Sequence, residues 1–209
     1  MSPREHLAAY LGECSLCAIL RGVQPAEAEA IGEAVFDAGI RIIEVPLNSP
    51  EPLESIRLLA ERFGDRALVG AGTVLQPRSV SDVRAAGGRL IVAPNTNKEV
   101  IAAADSAGLV SCPGYFTPSE AFAALDAGAT ALKLFPAEGA STAILKAQRA
   151  VLPPDVPILV VGGISPDNMR PWIDAGAQGF GLGSGLYKPG QSAEETAEKA
   201  RAYVAGVQL

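Results

Sequence analysis

Histidine is almost absent from this sequence: His6 is the only one in 209 residues. It sits in a polar stretch, Met1-Ser2-Pro3-Arg4-Glu5-His6, and reads as a solvated residue. A zinc site built on several histidines is excluded, and a Ser-His-Asp or Cys-His catalytic machine is disfavoured. Cysteine is nearly as scarce. Cys14 and Cys17 form a C-x-x-C spacing with Cys112 far away, one thiolate short of a closed structural zinc site. Cys17 runs straight into the apolar Ala18-Ile19-Leu20, so these thiols read as packing residues rather than a redox pair or a disulfide framework. No apolar run approaches the roughly 20 residues of a membrane-spanning helix, and no signal-like core follows the N-terminal stretch. Positive charge is not in excess either, with 17 basic against 23 acidic residues and a net charge of −6. No basic patch or stripe for nucleic acid is visible. A small anionic substrate stays compatible, because a pocket can be locally positive on an acidic protein. The expectation is a cytoplasmic protein without membrane or nucleic-acid partners.

What the chain does contain is regular alternation. Eight short, continuous apolar runs read as strands buried on both faces: Cys17–Arg21, Ile40–Pro46, Ala67–Val74, Leu90–Pro94, Leu109–Pro113, Ala131–Pro136, Pro157–Ile164 and Gly179–Leu186. Between them lie stretches with apolar residues three and four apart, such as Ala28, Ile31, Ala34 and Val35. Helix starts are signalled at Thr117-Pro118-Ser119-Glu120, Ser165-Pro166-Asp167 and Ser192-Ala193-Glu194-Glu195. Ala-Gly recurs before a strand run at residues 38–39, 86–87, 107–108, 127–128 and 175–176. A glycine just past a helix end supplies the left-handed cap that turns the chain back into a strand. One helix–turn–strand unit is therefore being reused. The pattern predicts a (β/α)8 TIM barrel, one domain over residues 1–209, with Pro3–Gly12 as an extra N-terminal helix closing the bottom. A doubly wound open sheet shares the same local signals. A barrel this short has no length for a lid, so its site must come from strand ends and short loops.

Two charges violate the strand pattern. Lys133 stands inside Leu132-Lys133-Leu134-Phe135-Pro136, and Glu44 inside Ile42-Ile43-Glu44-Val45-Pro46. One reading is a buried ion pair that fixes the barrel register. The other is amine chemistry, since desolvation lowers a lysine toward a free amine that attacks carbonyls, with Glu44 as general acid/base. Two glycine clusters, Val161-Gly162-Gly163-Ile164 and Gly181-Leu182-Gly183-Ser184-Gly185, end the seventh and eighth runs, where barrels frequently bind phosphate. Ser184 adds a hydroxyl donor. Arg21 is a fork suited to a carboxylate, and Thr73 offers a hydroxyl beside backbone N–H groups. Asn48 and Asn95 read as loop caps, and Trp172 as a packing residue on a helix.

Together these segments resemble the 2-keto-3-deoxy-6-phosphogluconate/2-keto-3-deoxy-6-phosphogalactonate aldolase family. The resemblance runs from Ala18-Ile19-Leu20-Arg21-Gly22 to Gly181-Leu182-Gly183-Ser184, through Ile43–Pro50, Gly70–Leu75 and Leu132–Ala137. It implies a class I aldolase, a homotrimer acting on a phosphorylated 2-keto-3-deoxy sugar acid, with no metal or organic cofactor. Lys133 then matches the Schiff-base lysine and Glu44 the general acid/base. Gly162, Gly163, Gly183 and Ser184 match the phosphate site, and Thr73 the surroundings of the pyruvate carboxylate. Two positions favour the galactonate branch. The substrate-carboxylate arginine falls after the first run at Arg21, whereas this chain has Asn48 where the gluconate branch carries it. Val161 stands where that branch shows threonine. The competing expectations are the gluconate epimer or a dual-specificity enzyme, a phosphate-binding barrel isomerase, and a non-catalytic sugar-phosphate-binding barrel.

Overall fold

The structure is a computed structural model that describes residues 2–207. Nine parallel strand segments form one sheet: β1 (Leu16–Ile19), β2 (Ile42–Pro46), β3 (Leu68–Gly72), β4 (Leu90–Val92), β5 (Val110–Cys112), β6 (Gly114–Tyr115), β7 (Leu132–Leu134), β8 (Ile158–Val161) and β9 (Gly179–Leu182). The order β5-β4-β3-β2-β1-β9-β8-β7-β6 begins and ends on consecutive pieces of a single run. Pro113, which has no N–H, interrupts that run and splits the fifth barrel strand in two. Lys133 N still donates to the Pro113 carbonyl at 2.9 Å, and Phe135 N to that of Tyr115 at 3.2 Å. The barrel thus closes through the split strand. The architecture is the expected eight-position barrel, not an open sheet.

Strand alternation divides the interior into two cores. Ala18, Ile43, Val45, Val69, Ile91, Leu132, Leu134, Val160 and Phe180 point outward and are buried under the helices. Cys17, Ile42, Leu68, Leu90, Val110, Ala131 and Leu159 form a separate cluster in the lumen. Helix α1 (Pro3–Glu13) adds Leu7 and Tyr10 to this lumen cluster, so it plugs the barrel floor as the sequence predicts. A Ser2–Glu5 capping box starts it.

The crossovers follow as α2 (Pro25–Asp37), α3 (Pro52–Phe63), α4 (Arg78–Ala85), α5 (Lys98–Ser106), α6 (Pro118–Asp126), α7 (Thr142–Arg149), α8 (Met169–Asp174) and α9 (Ala193–Val207). All five Ala-Gly joints place glycine at positive φ, from 69° at Gly108 to 114° at Gly39. The Thr117–Glu120 capping box opens α6, and Ser192 Oγ accepts from Glu195 N at 3.1 Å at the start of α9. The signal at Ser165-Pro166-Asp167 is displaced: α8 begins only at Met169. Asn168 holds the turn open instead, accepting from Ser165 N at 3.0 Å and donating to the Gly163 carbonyl at 2.8 Å. Trp172 packs against the outer core, as expected.

Candidate active site

Lys133 reaches the lumen because its neighbours Leu132 and Leu134 are claimed by the outer core. The register sets it level with Gly114 on one side and Leu159 on the other. It is 6% exposed, with Nζ 4.8 Å from the centroid of the Phe135 ring. Glu44 lies level with Ile19 and Gly70 and is 2% exposed. Its Oε2 has no hydrogen-bond partner. Burial raises the Glu44 carboxyl to about 7, while the charges of Lys133 and Arg21 pull it back down. No ion pair among the described residues includes either group. The register-fixing Lys–Glu pair is therefore not formed. A buried carboxyl without a partner is expensive to keep.

Two cavities meet at Lys133. The lower, of about 20 Å³, is lined by Glu44, Cys17, Cys112 and Leu7 among others. The upper, of about 430 Å³, opens at the C-terminal ends of the strands. Lys133, Ile19, Val161 and Gly181 line both. Arg21, Thr73, Val161, Gly162, Gly163, Gly183 and Ser184 all line the upper one, so every substrate-binding residue read from the sequence converges there. Glu44 shares the lower cavity with Lys133 and does not line the upper one.

The upper cavity has two polar ends. At one, Arg21 Nη1 donates to Asn48 Oδ1 at 2.6 Å and reaches Thr73 Oγ1 at 3.5 Å. Asn48 is thus a brace for the arginine rather than a bare loop cap. Thr73 holds φ at 55°, an outlier for a β-branched residue and the kind of strain that clusters at functional sites. At the other end Gly162 and Gly163 sit at φ of 114° and 63°, and nothing lies within 4 Å of the open face of Gly183. The Glu138 side chain lies against the open faces of Gly162 and Gly163, so the backbone open to an anion at this end is that of Gly183. The three cysteines are free and buried. Burial pushes the Cys112 thiol up to about 12 and raises that of Cys17 as well, so neither is a thiolate.

Sequence reasoning missed Pro94, Phe135, Glu138, Ser165 and Tyr203, which also line the upper cavity. Phe135 and Glu138 follow Lys133 closely enough to have been found as neighbours of a strand end. Tyr203 lies on α9, far along the chain from any motif, and only packing brings it in. Among the described residues, no group of three or more His, Cys, Asp or Glu is placed to hold a metal ion, and no helix is long and apolar enough to cross a membrane.

A closed α/β barrel with an amine in its lumen defines the class here: this is a barrel aldolase, a carbon–carbon lyase. The chain belongs to the KDPG and KHG aldolase family, whose profile matches residues 7–201. It is 51% identical over 189 residues to the 2-dehydro-3-deoxy-6-phosphogalactonate aldolase of Escherichia coli strain K12, covering 90% of this chain and 92% of the relative. A solved structure described as native KDPGal superposes with a TM-score of 0.90 at 50% identity, over 93% of this chain and 96% of the other. The Legionella pneumophila KDPG aldolase, solved with pyruvate captured as a covalent carbinolamine, superposes at 0.85 with 28% identity over 98% of each chain.

Proposed function

We propose that this protein cleaves 2-dehydro-3-deoxy-6-phospho-D-galactonate to pyruvate and D-glyceraldehyde 3-phosphate through an imine on Lys133, and that the chain works as one catalytic domain. The observation that carries the reading is Lys133 itself. It is a buried amine without an ion-pair partner, at the foot of a cavity that ends in glycine loops. Lys133 Nζ attacks the C2 ketone, the oxygen leaves as water, and the resulting iminium becomes the electron sink. Glu44 takes the proton of the C4 hydroxyl. The C3–C4 electron pair moves into the iminium, releasing the aldehyde phosphate and leaving a pyruvate enamine. Glu44 returns a proton to C3, and water then hydrolyses the imine. A carboxyl raised to about 7 suits this double duty, because it both accepts and returns a proton near neutral pH. Arg21 and Thr73 take the C1 carboxylate, and the loops at Gly162, Gly163, Gly183 and Ser184 take the phosphate.

The galactonate substrate is supported by the E. coli relative, by Arg21 braced on Asn48 and by Val161 in the cavity wall. The imine is supported by the pyruvate carbinolamine of the Legionella relative. Incubation with pyruvate and borohydride is expected to leave a reduced pyruvyl adduct on the peptide containing Lys133. An unmodified Lys133 overturns the mechanism. Comparing kcat/KM for the two C4-epimeric phosphorylated acids tests the substrate, and equal rates would make this a broad-specificity enzyme. Family resemblance further supports a homotrimer acting in the cytoplasm, which analytical ultracentrifugation and cell fractionation test.

A further inference from the structure

The two glycine loops grow from different strands and belong to different crossovers, yet one phosphate would have to be met by both. The loop after β8 is Gly162-Gly163-Ile164, and the loop after β9 is Gly183-Ser184-Gly185. Neither has a regular hydrogen-bond ladder to fix it against the other, because both lie beyond the last paired residues, Val161 and Gly181. Tyr203, from α9, spans them. Its Oη donates to the Ile164 carbonyl at 2.8 Å, a buried hydrogen bond across 39 residues of sequence. The same Oη fills the space over Gly185, where an added methyl would overlap it while standing 3.5 Å from the ring carbon Cζ. The side chain is 4% exposed and lines the upper cavity. Three residues further along α9, a methyl at Gly206 would stand 2.7 Å from the Pro166 carbonyl, so the helix seats on the end of the same loop. Burial holds the phenol above its ordinary range, which keeps the proton on Oη and keeps it a donor.

The geometry points to Tyr203 as a positioning residue that clamps both phosphate-binding loops of the proposed reaction through one hydroxyl. The inference rests on the phosphate assignment above and extends it to a helix that the barrel scaffold alone does not require at the site. A clamp of this kind acts on the phosphate end and leaves the imine end alone. Its signature is therefore a change in KM for phosphorylated substrate without a matching change in kcat. One lost buried hydrogen bond corresponds to about a three- to tenfold effect.

The test uses three variants: Tyr203→Phe, Gly185→Ala and the double variant. Each is assayed with the phosphorylated acid, with the same acid lacking its phosphate, and with inorganic phosphate as a competitive inhibitor. Tyr203→Phe is expected to raise KM for the phosphorylated acid and Ki for phosphate about three- to tenfold. Its kcat, and its kcat/KM for the unphosphorylated acid, should stay within about twofold. Gly185→Ala should weaken phosphate binding further, and adding Tyr203→Phe to it should recover part of the loss, because phenylalanine leaves room for the methyl. Equal losses on both acids, or no change in Ki, overturn the clamp and leave the phosphate assignment standing. A wild type that does not distinguish the two acids overturns the phosphate assignment and the clamp together.

Discussion

The carboxylate of Glu44 lies directly against the α-carbon of Gly72, in the space that any side chain at position 72 would occupy. Glycine in Gly70-Ala71-Gly72-Thr73 is required here for room, because β3 runs beside β2 and pairs Gly72 with Pro46. Gly72→Ala forces either the strand or the buried carboxylate to move. The expected outcome is a loss of about 1–3 kcal/mol in stability by denaturant unfolding, with a fall in kcat that exceeds any change in KM.

Glu44 also ties activity to pH. Its folded-state value is about 7, above the ordinary carboxyl value of 4.5, so the native state favours the protonated form. Stability from this group is therefore fully present below about 4.5 and is lost as pH rises through about 7. Glu44→Gln removes that dependence. Relative to the wild type, its Tm is expected to rise between pH 4.5 and 7 and to level off above that, while kcat falls about 10²- to 10⁴-fold and the limb of the pH–rate profile near 7 disappears. A wild type and variant whose Tm values run parallel with pH would show that Glu44 titrates like an exposed carboxyl.

Arg21 and Asn48 form one unit, joined at 2.6 Å. Arg21→Ala is expected to raise KM for pyruvate in the condensation direction about 10- to 100-fold, the usual value of a charge-assisted hydrogen bond. Arg21→Lys should recover only part of this, since an ammonium cannot meet Asn48 and a carboxylate with one planar fork. Asn48→Ala should give a smaller increase in the same constant, because it loosens the arginine without removing its charge.

Val161 is buried in the wall shared by both cavities. Val161→Thr adds a hydroxyl to the wall of the cavity proposed to take the substrate. It is expected to shift the kcat/KM ratio of the two C4 epimers toward the gluconate form by about tenfold, measured by coupled pyruvate release.

Much of this was legible before folding. Continuous apolar runs mark strands buried on both faces, and the Ala-Gly joints mark helix ends, because both signals depend on residues close in sequence. Lys133 and Glu44 were legible as charges where a buried strand cannot afford them. The breaks in the pattern were less visible. Pro113 stands within the fifth strand, and its effect on the ladder depends on which neighbour its missing N–H would have faced. Asn168 displaces the start of α8 because its side chain reaches back to Gly163, a choice that the Ser-Pro-Asp signal does not contain.

The sequence by itself determined the period, the number of repeats, the reactive residue types and the strand ends on which they fall. Only the tertiary structure decided that Glu44 shares a lumen cavity with Lys133, that Gly72 makes room for it, and that Tyr203 bridges two loops. The physical reason is closure. Local patterning places each side chain inside or outside its own strand, whereas level and neighbour depend on the register of the closed sheet. That register brings β1 against β9 and sets Ile19 level with Glu44, relations between residues that no local window spans.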